Sequence, residues 1–201
     1  MARHPHPTKA ALIATTVRLL DEMAAEEITT EVVLHQSGIS RSSLYHHFED
    51  FNDLIESAEV VRFTRYVDYS ISTITQAVLG TRTKQQLRDA LAGVTRGTQG
   101  PAMAGIRSQR ISALALASRE TRFARKLGVE QERMTESLAD LIREGQARGL
   151  LNPAIDPRTA SVLVQAYTVG QVVDDFTPTH MSPEAWIHLI DVILDRVFMA
   201  D

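Results

Sequence analysis

Apolar residues return every three or four positions along almost the whole chain, and no segment alternates in the strict manner of a half-buried strand. The pattern predicts an all-α protein of about nine helices. Leu12, Ile13, Val17, Leu19, Leu20 and Met23 define a first helix over residues 8–25. Ile28 leads into a short second helix, capped by Thr29 or Thr30 and running through Gln36. Ser37-Gly38-Ile39-Ser40 ends it, because Gly38 takes up left-handed backbone at little cost. Ser40 then caps a third helix over residues 41–48. Ile39 just before that cap and Leu44 inside the helix form a hydrophobic staple, and Leu44 with Phe48 marks the buried edge.

A long pattern from Leu54 through Ile74 predicts one extended helix that reaches Leu79 and links two domains, residues 1–50 and 51–201. Thr83 with Gln86 offers a capping box for a fifth helix, and residues 102–119 and 121–148 give a sixth and seventh. Asp156-Pro157 and Ser182-Pro183 each place a capping side chain before a first-turn proline. From these starts an eighth helix runs on through Phe176 and a ninth reaches Phe198. The eighth is apolar on more than one face, so two surfaces must be covered.

Two short helices joined by a tight glycine turn, the second capped and stapled, have the geometry that lets a helix enter a DNA major groove. With Leu44 and Phe48 turned to the core, Arg41, Ser42, Ser43, Tyr45, His46 and His47 are left for solvent or DNA. Arg41 suits guanine or phosphate, the serines base edges or phosphate, and Tyr45 and His47 phosphate oxygens. Spacing alone leaves a plain helical hairpin with a polar outer face equally open.

The stretch ITTEVVLHQSGISRSSLYHHF, residues 28–48, resembles the signature of the tetracycline-repressor (TetR) family of transcriptional regulators, with Gly38, Ser40, Leu44, Tyr45, His47 and Phe48 in matching places. The resemblance implies a helix-turn-helix DNA-binding domain followed by a helical domain for effector binding and dimerisation. It makes Thr30, Arg41, Ser42, Ser43, Tyr45 and His47 DNA-contact residues and puts His46 at a variable position that helps choose bases. The family often has a lysine shortly after the phenylalanine; this chain has Phe51. The resemblance further implies a repressor that leaves a palindromic operator when a small-molecule effector binds. It also implies a homodimer whose last two helices pair with those of a second subunit, through Val169, Val173, Trp186, Ile190, Ile193 and Val197. A two-fold dimer would cover the excess apolar surface of those helices and hold two recognition helices ~34 Å apart, one DNA turn.

Composition narrows the alternatives. A chain of 201 residues, 44% hydrophobic, can bury a real core, and without cysteine it has no disulfide framework, thiolate metal site or cysteine nucleophile. No apolar run approaches the ~18 residues of a membrane span, and the start is rich in His and Pro, which together fit a cytoplasmic protein. A net charge of -4 argues against nonspecific coating of nucleic acid and for few phosphate contacts. No hydrolase triad, phosphate-cradling glycine loop or zinc-binding His-Glu-x-x-His occurs, so neither an enzyme nor a cofactor is expected. His46 and His47 point about 100° apart on a helix and do not share a metal ion easily. His4 and His6 read as an arm that either touches DNA or stays free. Arg107 and Arg110 fall on a segment that looks buried, so each needs a partner. That partner is either Asp174 or Asp175, or an anionic effector in a pocket lined by Met103, Tyr167, Phe176 and Trp186. Such residues also read as plain core. A helix-turn-helix without effector control, and an all-helical ligand carrier, stay open beside the repressor reading.

Overall fold

The computed structural model describes residues 6–23 and 27–199. Its elements are α1 (Pro7–Glu22), α2 (Thr30–Ser37), α3 (Arg41–His47), α4 (Phe51–Val78) and α5 (Lys84–Thr98). A 3-10 turn (Pro101–Met103) precedes α6 (Ala104–Ala117), α7 (Thr121–Ala147) and α8 (Pro157–Gly170). One further turn, α9 (Val172–Asp175), and α10 (Pro183–Ile193) follow, and a π-helical segment (Leu194–Phe198) closes the described chain. Among the described residues extended pairing is confined to an isolated antiparallel bridge between Leu151 and Met199. The fold is all-α.

Several of the helices start where side chains meet otherwise unsatisfied backbone donors. Thr29 Oγ1 accepts from the Val32 amide at 3.3 Å, Asp156 Oδ1 from Thr159 at 2.7 Å and Ser182 Oγ from Ala185 at 3.2 Å. Each such cap is worth about 1 kcal/mol. At α5 the expected box is displaced by one residue. Thr83 Oγ1 accepts from the Gln86 amide, but Gln86 Oε1 reaches past the cap to the Arg82 amide at 2.8 Å.

Two helices end differently from their sequence pattern. α8 stops at Gly170 instead of running through Phe176. Glycine is a weak helix former, and the next residue, Gln171, is buried with its Nε2 donating to the Gln99 carbonyl at 3.0 Å. α10 widens over its last turn, where Asn152 donates its backbone amide to the Phe198 carbonyl (2.9 Å) and its Nδ2 to the Val197 carbonyl (3.1 Å).

The chain divides into two compact units, one through Arg65 and one from Tyr66, so the division falls within α4. In the first unit Leu12, Val17, Leu20, Val33, Leu44, Phe48, Leu54 and Ala58 form one buried cluster. Fully burying a Leu or Phe side chain contributes about 1.5–3 kcal/mol, so the short α3 is held by what it packs against rather than by its own helix propensity. In the second unit Val78, Leu87, Leu150, Leu151, Ile190, Leu194 and Phe198 cluster. Leu151 fits against Gly145 of α7, where a Cβ would lie 2.6 Å from its Cδ1.

Candidate nucleic-acid interface and ligand cavity

The turn between α2 and α3 is built by contiguous residues. Gly38 is left-handed, at φ 66° and ψ 15°, and donates its amide to the Leu34 carbonyl at 3.0 Å. A residue with a Cβ would be strained there. Ser40 caps α3, its Oγ accepting from the Ser43 amide at 3.2 Å. Ile39 packs against the amino-terminal core in which Leu44 and Phe48 are buried. Cap, staple and buried edge together fix the orientation of α3.

The other side of α3 is polar. Tyr45 is 48% exposed, Arg41, Ser42 and His46 are exposed, and Ser43, His47 and Thr30 are half-buried. Thr29 is the cap of α2, which makes Thr30 its first residue. The Ser42 and Ser43 hydroxyls lie 3.0 and 2.9 Å from that of Ser40, so each is already part of the cap. Arg41 pairs with Glu31 of α2, a partner the sequence reading did not identify. Both side chains of that pair are more than half exposed, so a phosphate or a guanine edge can replace Glu31 at small cost.

His6 caps α1, its Nδ1 accepting from the Thr8 amide at 3.3 Å; His4 lies outside the described residues. The His6 ring sits 4.9 Å from that of His47, which in turn is 5.0 Å from that of His46. Loss of hydration, and then the charges of His6, His46 and Lys9, hold the His47 imidazolium below the ordinary histidine range. Phosphate beside His47 would raise its pKa again, so DNA binding takes up a proton in the window between the free and bound values. Operator affinity is therefore expected to rise as pH falls from 8 to 6, read by fluorescence anisotropy, with His47→Gln removing the rise. A flat profile would show that His47 meets no phosphate. The sign for folding is opposite: a histidine pKa depressed in the folded state loses stability as pH falls through 6.5, so the gain on DNA is not a gain in stability.

The acids that follow α3 have structural duties. Asp50 Oδ1 accepts from the Asp53 amide at 2.7 Å, and Asp53 Oδ2 from the Glu49 amide at 3.1 Å, at the start of α4. Phe51 packs against the amino-terminal core. The place where a family member often carries a phosphate-binding lysine is thus given to packing.

The second unit holds a cavity of about 680 Å³, open mouth included. Met103, Arg107, Arg110 and Tyr167 line it. A second cavity of about 780 Å³, open mouth included, shares Ile74, Val94, Leu138, Val164 and Tyr167 with the first. Burial raises the Tyr167 phenol pKa. Arg107 is matched by Asp175, with Nε to Oδ2 at 2.9 Å and Nη2 to Oδ1 at 2.6 Å, and donates Nη1 to the Gly100 carbonyl at 3.3 Å. Asp174 instead accepts from the Met181 amide at 3.1 Å.

Three expected placements change. Phe176 is 78% exposed and lines neither cavity, because α8 ends before it. Trp186 packs against the carboxy-terminal cluster and donates Nε1 to Gln99 Oε1 at 3.0 Å. Ile190 is 2% exposed and so is not on a free surface, whereas Ile193 is half-buried with one side against the same cluster. Val173 and Val197 are exposed and Val169 is half-buried. Val162 and Leu163 on α8 and Leu189 and Val192 on α10 are outward and apolar as well.

No protein-family model matches the chain, and neither does any curated protein sequence. Solved structures do match over nearly its whole length. A TetR-family regulator described from Mesorhizobium loti superposes with a TM-score of 0.67 at 16% identity, covering 94% of this chain and 93% of its own. A regulator from Saccharomonospora viridis in complex with choline gives 0.66 at 13% identity, covering 96% and 98%. Bacillus subtilis FadR in complex with stearoyl-CoA gives 0.62 at 15% identity, covering 92% and 96%. The chain has the TetR fold. All three structures are described as transcriptional regulators, none as an enzyme. Within this TetR fold, no helix of the described residues is long and apolar enough to cross a membrane, and no group of three or more His, Asp or Glu is placed to hold a metal ion.

Proposed function

We propose that the chain is a ligand-responsive transcriptional repressor. As a homodimer in the cytoplasm it binds a palindromic operator and releases it when a small molecule occupies the cavity of the second unit. The observation that carries this reading is the polar side of α3, where Arg41, Tyr45 and His46 stand exposed on a helix fixed by Gly38, Ser40, Leu44 and Phe48. Thr30, Ser42, Ser43 and His47 complete the DNA-contact set. Two observations support the rest. Outward apolar residues recur on α8, α9 and α10, among them Val162, Val173, Leu189 and Val192, as a subunit interface requires. Two of the similar folds carry small molecules, choline and stearoyl-CoA. A ligand that prefers one setting of α4 shifts a pre-existing equilibrium, and a coupling of about 1–3 kcal/mol is enough to weaken operator binding 5–150-fold.

The test is selection of bound fragments from genomic DNA, followed by titration against salt. The expected product is a two-fold symmetric site with half-sites about 10 base pairs apart. Its affinity should fall only gently with salt, because few cations face the groove. Recovery of fragments with no common sequence, or a chain that stays monomeric on its operator, would rule the reading out.

A further inference from the structure

Arg110 lies one turn after Arg107 on α6 and is 5% exposed, yet the two guanidiniums are matched very differently. Arg107 has Asp175 and the Gly100 carbonyl. Arg110 has the Thr168 hydroxyl at 3.3 Å and the face of Tyr66, whose ring centroid is 4.4 Å from its Cζ. Its buried Nε has no acceptor. Among the described residues no carboxylate pairs with Arg110, and none lines the cavity onto which it faces. Burial accordingly lowers the pKa of Arg110. A cation taken out of water without a counter-charge is held against its own desolvation, and an anion placed beside it removes that penalty. The remaining wall is mostly apolar, with Met103, Ile106, Met134 and Leu138 beside the uncharged polar Ser70, Thr73, Thr98 and Gln165, and beyond Tyr167 and Val94 lies the second, mostly apolar cavity.

We propose that the effector is an amphiphilic monoanion, a carboxylate on an aliphatic chain, whose head group takes the free Nε–H of Arg110 while its chain lies along Met134 and Leu138 toward the second cavity. One uncompensated positive charge calls for one negative charge. The apolar lining calls for a tail rather than a sugar or nucleotide. The assignment rests on the effector reading above and names the ligand class for it.

Octanoate and octan-1-ol are the probes, titrated calorimetrically into the full chain. Octanoate should bind once per chain, and Arg110→Met should weaken it about 10–100-fold, the loss of a charge-assisted hydrogen bond, while leaving octanol unchanged. Because the unliganded guanidinium is poorly matched, R110M should melt no lower than the parent chain. If R110M does not fold, R110K gives the readout, keeping the charge but not the Nε donor, and it should weaken octanoate and not octanol. Equal binding of acid and alcohol, no binding of octanoate, or octanoate binding unaffected by these variants would each overturn the anion site. Failure of the effector reading looks different: octanoate binds through Arg110, but operator affinity in its presence is unchanged. Operator release by a neutral molecule that ignores R110M would keep the effector reading and sink the anion.

Discussion

Replacing Tyr45 and His47 together by alanine is expected to lower operator affinity at least about 100-fold, from two hydrogen bonds to charged phosphate at roughly 1.5 kcal/mol each per subunit. Folding should barely change. Tyr45 is 48% exposed and His47 carries no part of the core, which lies at Leu44 and Phe48 on the opposite side of α3. Substitutions outside the core, here one exposed and one half-buried side chain, stay within about 0.5 kcal/mol each, a shift of a few degrees at most in melting temperature for a chain of this size. Anisotropy with the selected operator and a thermal melt of the same sample read both halves. Affinity retained within about threefold would show that another face meets DNA, whereas loss of affinity with a collapsed melt would return Tyr45 and His47 to a structural role.

The second large effect is expected at Asp175. Asp175→Ala leaves the Arg107 guanidinium, whose side chain is 4% exposed, with only the Gly100 carbonyl among its described partners. Removing one partner of a buried ion pair costs about 3–5 kcal/mol. The Asp175 side chain is 22% exposed, so the lower part of that range applies. Double replacement by Arg107→Met and Asp175→Ala should recover most of the loss, because no charge is then stranded. Urea unfolding of the three variants checks this, and a double variant no better than D175A would show that the pair acts by geometry rather than charge. The pH dependence has a fixed sign. The hydrogen bond from Arg107, and then its charge, hold the Asp175 carboxyl below the usual aspartate value. The pair's contribution is therefore complete above the unfolded value near 3.8 and is lost as pH falls through the lower folded one.

What could be read from the sequence followed from how local the controlling contacts are. The boundary between α2 and α3 depends on Gly38, Ser40 and Leu44, which act on backbone a few residues away, and so do the caps at Asp156 and Ser182. The TetR-like layout came instead from the resemblance of residues 28–48 to that family's signature. Partners distant in sequence were not. Glu31 reaches Arg41 across the turn, and Gln99 accepts from Trp186 and is itself met by Gln171 through contacts that no periodicity announces. Periodicity also fails where a helix is apolar all round. α10 carries Ile190 and Ile193 on one face and Leu189 and Val192 on another, and only packing tells which face turns inward. Arg107 and Arg110 illustrate the limit at the candidate cavity. Their burial was legible in the surrounding alanines and leucines, but which of the two would be left without a carboxylate depended on where α9 brings Asp175.

The Arg41–Glu31 pair bears on how such a protein would search a chromosome. While unbound, the fixed cation of α3 is occupied by the chain's own acid, so random DNA meets a nearly neutral recognition surface and holds it weakly. Because the pair is exposed and weak, any phosphate can displace Glu31 at small cost, so the pair trims the hold on every sequence alike and leaves discrimination to base-edge contacts. Glu31→Gln would free that cation and tighten the grip on right and wrong sequences by about the same small factor.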